Sequence, residues 1–318
     1  MDLIYADEYK DDVGVLQDYK FDLAYGSGEN DFEITVSTSN HVCREDYLVY
    51  IEGTEYGGMV DAVEVDTKGK TVKYKGRTFH GMLDKKVICP DSGQDYYVVS
   101  GDANTIIGNL ITRYSLTGLF VAVRDKSVTL NSYKFSRYTT LYAGICKMLS
   151  SVGYKLHMVY NDGKVILSAV PIVSYSDDDG LDSDRINFLI QKTYNPVNHL
   201  ICLGAGELKN RTVIHLYLDA NGNVGTSQYF TGLQEVTETY DYPSVESAEE
   251  LRQKGTQQLK SQDTNMIDMS LGEGYSFDIG DVISTVEVVT GIEVKRTIRK
   301  KIVTINKDIL KINYKVGE

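Results

Sequence analysis

The chain has 318 residues, of which 42% are hydrophobic and 25% are charged, a balance that excludes a disordered, collagen-like or coiled-coil protein. Its length suits two or three domains of roughly 100–200 residues each, and the 24 tyrosines beside 4 prolines favour β-sheets. Residues 1–66 hold 17 acidic and 3 basic side chains, whereas residues 67–318 carry a net charge of +2. This acidic first segment disfavours binding to nucleic-acid phosphates or anionic lipid, and its simplest interpretation is a solvated face.

The cysteines lie far apart without any paired spacing, which predicts free thiols in a reducing cytoplasm. They are Cys43, Cys89, Cys146 and Cys202. The acidic start at Asp2 is unlike a secretion signal, and no apolar run approaches the roughly 18 residues of a membrane helix. We therefore expect synthesis in the cytoplasm and no insertion into a membrane.

Strand periods fill the first part of the chain. Apolar and polar residues alternate at 30–36, and two alternating runs flank a glycine-containing turn at 67–70, which predicts a hairpin. No helical period occurs before residue 95. Residues 1–95 are therefore expected to form a first β-barrel domain.

Helical periods begin in residues 96–172. Apolar residues at 106–114 predict one helix with Asp102 at its N-cap, and a second helix is expected with Ser136 as its cap. Residues 154–169 then alternate on both sides of an Asn-Asp-Gly turn, a strong hairpin signal. The segment is expected to be an inserted α/β module of two helices and a hairpin.

Strand patterns return in residues 173–318, which are expected to form a second β-rich domain with one helix at 245–261. Ser247 and Glu250 have the spacing of a capping box at the start of this helix. The predicted fold class is thus mainly β, with two antiparallel β-barrel-like domains and an inserted α/β module.

A basic run, Lys-Arg-Thr-Ile-Arg-Lys-Lys, occupies residues 295–301. Strict strand alternation places Lys295, Thr297, Arg299 and Lys301 on one wholly polar face, which needs solvent or an acidic surface. One interpretation is a solvated edge that lysines protect from aggregation. The other is that the run contacts the acidic first segment, of the same chain or of a neighbouring copy, and leaves residual acidic charge to repel DNA phosphates.

No motif for catalysis, a cofactor or a metal is found, so the expected catalytic, cofactor-binding and metal-binding residues are none. His41 and Cys43 share a strand face but lack two further zinc ligands. The acidic loop 177–184 fails the calcium-loop pattern at its first and last ligand positions, which favours a solvated loop. Cys146 is expected to be a small buried helix residue rather than a nucleophile. A glycosidase pair stays open, since the chain has 45 acidic residues.

Three stretches of the sequence carry a resemblance to a known family. The first joins a Gly-Gly-Met-Val strand at 57–60, a hairpin, a Gly-Arg-Thr segment at 76–78 and a closing Val-Ile at 87–88. The second is the capped helix, strand and hairpin of residues 136–167. The third is a helix with Leu251, Gly255 and Leu259, followed by Phe277, Asp278, Ile279, Gly280, Asp281 and Val282.

Taken in order over essentially the whole chain, these stretches resemble the hub region of tail and baseplate proteins from phages or prophages of Gram-positive bacteria. In the third stretch, Gly280 permits a tight turn and Asp281 can bond backbone amides. The resemblance implies a structural homotrimer at the distal end of the tail tube, assembled into the virion tail tip. Its partners would be tail-tube or distal tail ring proteins and the tape-measure protein, and it would close or guide the genome channel.

Many proteins of that family carry a C-terminal peptidoglycan hydrolase. Because this sequence stops at Glu318, directly after the last predicted barrel, we expect no enzyme activity. Two alternatives remain open: a tail-tip cell-wall hydrolase that uses a carboxylate pair, and a carbohydrate- or receptor-binding module, which the many tyrosines suggest.

Overall fold

The structure is a computed structural model, and it describes residues 1–176, 186–191, 197–245, 247–261, 266–271, 276–286, 293–307 and 309–317. Strands predominate over helices, which confirms the predicted mainly β fold. The chain forms two compact units, of which the first comprises Met1–Phe188 and Asp268–Glu318 and the second comprises Leu189–Ile267. The division into modules at residues 95 and 172 stays a prediction.

The secondary structure alternates long stretches of strand with four short helices in the described residues. The strands before the first helix are β1 Ile4–Ala6, β2 Asp12–Val15, β3 Lys20–Gly26, β4 Asp31–Ser37, β5 Leu48–Tyr50, β6 Gly57–Asp66 and β7 Thr71–Thr78. The next strands are β8 Val98–Asp102, β9 Phe120–Ala122, β10 Thr129–Lys134, β11 Tyr154–Asn161, β12 Lys164–Pro171, β13 Ser174–Tyr175 and β14 Ile186–Gln191. The remaining strands are β15 His199–Leu203, β16 Val213–Leu218, β17 Val224–Gly225, β18 Thr237–Asp241, β19 Met266–Leu271, β20 Val282–Val286, β21 Glu293–Asn306 and β22 Ile309–Gly317. The helices are α1 Phe79–Asp84, α2 Ala103–Arg113, α3 Leu141–Ser150 and α4 Ala248–Ser261.

The largest sheet joins the beginning of the chain to its end. Its described strand order is β14-β19-β22-β21-β3-β4-β7-β6-β5-β1-β2, with β20 beside β21 and β13 beside β20. Strand β21 pairs antiparallel with β3, so that Val303 lies opposite Leu23. Because this order has two ends, the described strands form an open sheet, and no closed barrel is detected.

Two large cores stabilise the first unit, beside a smaller buried cluster of Phe277, Ile283, Ile298 and Tyr314. One lies against the large sheet and contains fully buried side chains from both ends of the sequence, such as Phe21, Tyr74 and Val303. The other surrounds α2 and α3 and contains Ile107 and Leu149. Burial of each such side chain contributes about 1.5–3 kcal/mol, so the pairing of β21 with β3 is held by packing as well as by backbone hydrogen bonds.

The predicted helices of the α/β module are present. Asp102 caps α2, because its carboxylate accepts a hydrogen bond from the Thr105 amide at 3.1 Å, as predicted. Helix α3 begins later than expected: Thr140, not Ser136, is its N-cap, and its hydroxyl accepts from the Ala143 amide at 3.2 Å. Serine and threonine can both cap a helix, so the residue type alone does not decide between Ser136 and Thr140.

The hairpin of β11 and β12 is confirmed, with Asn161 opposite Lys164 and positive φ angles at Asp162 and Gly163. Two consecutive residues of this conformation form the turn that matches the twist of paired strands. Helix α1 contradicts the expectation of no helix before residue 95. It has six residues, which is too short to display a helical period.

The second unit contains a four-stranded sheet in the order β17-β16-β15-β18, and α4 packs on one of its faces. The buried residues between them are Leu200, Cys202, Leu216, Val245, Leu251 and Leu259. The helix begins at Ala248 rather than at 245, and the Ser247 hydroxyl accepts from the Glu250 amide at 3.4 Å. A side chain at Gly255 would overlap Cys202, so this glycine permits the close contact of helix and sheet.

Candidate functional site

The third stretch of the resemblance forms a tight turn immediately before β20. Gly280 has φ +100, a conformation that favours glycine, and a Cβ placed there would crowd the Lys155 Cβ at 3.0 Å. The Asp281 carboxylate, which is 1% exposed, accepts hydrogen bonds from the Val173 and Asp278 amides, both at 3.0 Å. The turn and the amide bonds predicted from the sequence are therefore confirmed.

Lys155 on β11 reaches into this turn, a contact that the sequence did not reveal. Its ammonium group is 6% exposed and lies 2.7 Å from the Asp281 carboxylate and 2.8 Å from Asp278 Oδ2. Burial raises the pKa of Asp278, but the hydrogen bond from Lys155 and the nearby charge of Lys301 outweigh it, so the pKa lies below its ordinary value. The three side chains form a buried ionic contact between the α/β module and β20.

Lys301 on β21 continues the same cluster. Its side chain is 2% exposed, and its Nζ lies 2.6 Å from Glu55 Oε1 and 3.5 Å from Asp278 Oδ1. The Tyr25 hydroxyl donates to the same Glu55 oxygen at 2.5 Å. Burial lowers the pKa of Lys301, but the charge of Glu55 outweighs it and raises the pKa above its ordinary value.

This burial corrects the predicted orientation of the basic run. The pairing register of β21 shifts between Ile298 and Lys300, as it does at a β-bulge, so strict alternation fails there. Ile298 and Lys301 are both buried, whereas Arg299 between them is exposed. Lys301 therefore does not lie on a solvent-facing polar strip.

The predicted contact between the basic run and the acidic first segment is present within one chain. Lys300 forms an ion pair with Glu29, and Lys301 forms one with Glu55. Both carboxylates belong to residues 1–66. We name the group of Lys155, Asp278, Asp281, Lys301 and Glu55 the ionic cluster; it joins four separate segments of the first unit.

His80 on α1 lies beside the ionic cluster and is 4% exposed. Its ring stacks on Tyr25 with centroids 4.3 Å apart, and its Nδ1 has no hydrogen-bond partner in the described residues. Burial is the largest influence on this imidazole and lowers its pKa to about 4. His80 is therefore neutral at pH 7, and its 3.6 Å approach to Glu55 is not an ion pair.

The residues considered for metal binding or nucleophilic chemistry have structural contacts instead. His41 Nδ1 lies 2.9 Å from the Tyr74 hydroxyl, and Cys43 is buried, which raises its thiol pKa to about 12. Burial also raises the pKa of Cys146 to about 12, which disfavours a thiolate. Among the described residues, no three His, Cys, Asp or Glu side chains are arranged to hold a metal ion. The acidic loop 177–184 lies outside the described residues.

One histidine cluster in the second unit was not predicted. His199 Nδ1 lies 2.7 Å from Glu235 Oε1, and His199 Nε2 lies 2.8 Å from His215 Nδ1. Tyr217 stacks on His199 with ring centroids 4.3 Å apart. Alternation on β15 and β16 correctly placed both histidines on strands, but the contact with Glu235 depends on a loop that has no sequence signal.

The arrangement of the ionic cluster is suited to joining segments rather than to reacting with a substrate. The Asp281 carboxylate is saturated by Lys155 and two backbone amides, and Lys301 is held by Glu55. The described helices also include none with the length and apolar character needed to cross a membrane.

Comparison with known proteins identifies solved structures with a similar fold. No family model and no curated protein sequence matches the chain. A tail protein from Neisseria meningitidis is 13% identical with a TM-score of 0.51, over 100% of this chain and 96% of that one. A 43 kDa prophage tail protein from Shewanella oneidensis is 12% identical with a TM-score of 0.53, over 100% and 98%. A prophage tail protein from Listeria monocytogenes is 14% identical with a TM-score of 0.50, over 99% and 94%.

The fold is therefore that of phage and prophage tail proteins, and the resemblance found in the sequence is confirmed at this level. Each of the three matches covers nearly the full length of this chain and of the tail protein. The matched region therefore includes the α/β module and the second unit as well as the large sheet.

Proposed function

We propose that this chain is the structural hub at the distal end of a phage or prophage tail tube, where it joins the tube to the tail-tip ring. The observation that carries the proposal is the agreement in fold with three tail proteins over nearly the full length of each. The ionic cluster supports it, because a component that connects two rings needs its segments fixed relative to one another.

In this proposal, three copies form a ring that closes or guides the genome channel. Its partners are tail-tube or distal tail ring proteins and the tape-measure protein. The net charge of −14 in residues 1–66 supports a channel role, because acidic surfaces repel DNA phosphates. The protein would be made in the bacterial cytoplasm and assembled into the virion tail tip, with no specific nucleic-acid binding, no membrane insertion and no cofactor or metal.

A cell-wall hydrolase is the second candidate, and one groove supplies its residues. The groove has a volume of about 750 Å³, and Glu29, Asp31 and Glu33 are among the residues that line it. Burial, followed by the charge of Glu29, raises the pKa of Asp31. A carboxyl group with a raised pKa beside a second carboxylate is one requirement of a glycosidase, although Lys73 already pairs with Glu33 at 2.9 Å.

Zymography on bacterial cell walls separates the two candidates. The purified chain and an Asp31→Asn variant are run beside lysozyme as the positive control, and the hub proposal expects clearing by lysozyme alone. Clearing by the parent that is lost in Asp31→Asn would replace the hub with a hydrolase. Negative-stain images that show ring-shaped particles would support assembly over a carbohydrate- or receptor-binding module. Neighbouring genes for tape-measure and tail ring proteins would support the same conclusion.

A further inference from the structure

The C-terminal half of β6, residues 62–66, has a free edge. Strand β5 pairs with β6 only from Gly57 to Met59, and backbone hydrogen bonds with Asp46 and Tyr47 extend this contact to Val60. The pairing register with β7 then shifts between Val60 and Ala62. From residue 62 to residue 66, no described strand pairs with the side of β6 that faces away from β7. The backbone amides and carbonyls of this side are therefore open to a further strand.

The inner face of this edge is apolar and uncovered. Val63 and Val65 lie opposite Tyr74 and Val72 of β7, which are buried in the core against the large sheet. Val63 is nevertheless 39% exposed and Val65 is 54% exposed. The core side of the sheet thus continues outward onto two valines that the described chain covers only in part.

The outer face carries charges that alternate in sign from strand to strand. Glu33 on β4 pairs with Lys73 on β7 at 2.9 Å, and Lys75 on β7 pairs with Glu64 on β6 at 2.5 Å. An additional strand beside β6 would continue this order with a basic side chain next to Glu64, because opposite charges on adjacent strands attract and like charges repel.

Two residue types that protect sheet edges against strand addition are missing from this edge. Residues 57–66 read Gly-Gly-Met-Val-Asp-Ala-Val-Glu-Val-Asp, without a lysine or proline. Both residue types normally discourage pairing at an exposed edge. Self-pairing of two copies through this edge is disfavoured, because the Glu64 and Asp66 carboxylates of both copies would be brought together.

We propose that residues 62–66 of β6 receive an extended strand from another polypeptide, in which apolar side chains alternate with lysine or arginine. Main-chain hydrogen bonds would supply affinity, and the valines and Glu64 would select the sequence. This strand addition goes beyond the hub proposal. Its test is independent of the hub proposal, because it uses only the purified chain and a peptide.

The chain itself provides a probe with the required pattern. Residues 70–76, Lys-Thr-Val-Lys-Tyr-Lys-Gly, include the part of β7 that already pairs with the other edge of β6. A fluorescein-labelled peptide of this sequence is titrated with the full chain, and binding is followed by fluorescence anisotropy. A matched peptide with Lys73→Glu and Lys75→Glu keeps the apolar pattern and reverses the charge.

Val65→Lys is the test variant, because an inserted lysine at the open edge removes an apolar contact and repels the basic peptide. Val15→Lys on β2 is the control, since Val15 is a 40% exposed valine on another edge strand. Both positions are exposed, and circular dichroism melting verifies that both variants fold.

We expect the basic peptide to bind at least about tenfold more tightly than the acidic one, and Val65→Lys to weaken it about tenfold, with Val15→Lys unchanged. Three results would overturn the proposal: no binding of the basic peptide up to about 1 mM, equal binding of both peptides, or binding that is indifferent to Val65→Lys. A self-association of the parent that Val65→Lys abolishes would also overturn it, since the occupant would then be a second copy of this chain.

Discussion

Lys155→Met is the perturbation that probes the ionic cluster most sharply. It removes the ammonium group that lies 2.7 Å from Asp281, whose side chain is 1% exposed. Removal of one partner from a buried ion pair leaves an uncompensated charge and costs about 3–5 kcal/mol. Asp281 keeps two amide hydrogen bonds, and Asp278 is 36% exposed and keeps Lys301 at 3.5 Å. We therefore expect the lower end, about 3 kcal/mol, which is more than a hundredfold in the unfolding equilibrium.

Hydrogen exchange followed by mass spectrometry is the appropriate assay, because a chain with two compact units need not unfold in one step. Peptides that cover β11 and the turn before β20 should exchange much faster in Lys155→Met than in the parent. Lys20→Met is the control, since Lys20 pairs with Asp22 at 2.5 Å on the surface, where loss of a pair costs at most about 1 kcal/mol.

The double variant Lys155→Met, Asp281→Asn completes the design. An asparagine can accept only one of the two backbone amide bonds of Asp281, so Asp281→Asn alone also costs stability. Because the two changes remove one shared ion pair, the double variant should lose less stability than the sum of the two single variants. Equal exchange in Lys155→Met and Lys20→Met would refute the reasoning, because the ionic cluster would then contribute no more than a surface pair.

Three further predictions concern stability and metals. Because burial lowers the pKa of His80 from 6.5 to about 4, the unfolded chain binds a proton there between these pH values and the folded chain does not. Stability should therefore fall by about 3 kcal/mol as the pH falls through this window, and His80→Phe should flatten that part of a pH series of hydrogen exchange in peptides that cover α1, corrected for the intrinsic exchange rate at each pH. Gly280→Ala should cost about 1–3 kcal/mol by hydrogen exchange in peptides that cover the turn before β20, because φ is +100 there and the new Cβ meets Lys155; no loss would contradict the account. EDTA should leave the Tm unchanged, and a drop that calcium or zinc reverses would show a metal site that the sequence analysis missed.

Local features of the fold were predictable from the sequence because they depend on nearby residues. The cap at Asp102, the hairpin turn at Asp162 and Gly163, and the turn at Gly280 each follow from residue types at fixed spacing. The pairing of β21 with β3 has no such signal, since two alternating strands fit any partner with an apolar face.

The ionic cluster was only half predictable. Asp281 stood out because it belongs to a turn motif, but Lys155 occupies a strand position where a lysine ordinarily faces solvent. Lys301 was correctly expected to meet an acidic surface, but its assignment to the same strand face as Arg299 is wrong. The irregularity at Ile298 and Lys300 breaks the two-residue period on which that assignment relied. No residue pattern in the sequence predicts a bulge of this kind.

Sedimentation equilibrium of the purified protein distinguishes the proposed structural ring of three copies from a monomer. The chain mass is 35.6 kDa, so a trimer has a mass of about 107 kDa. We expect the trimer mass to dominate at high protein concentration and low salt. A strict monomer of 35.6 kDa at every protein concentration and every salt concentration would contradict it.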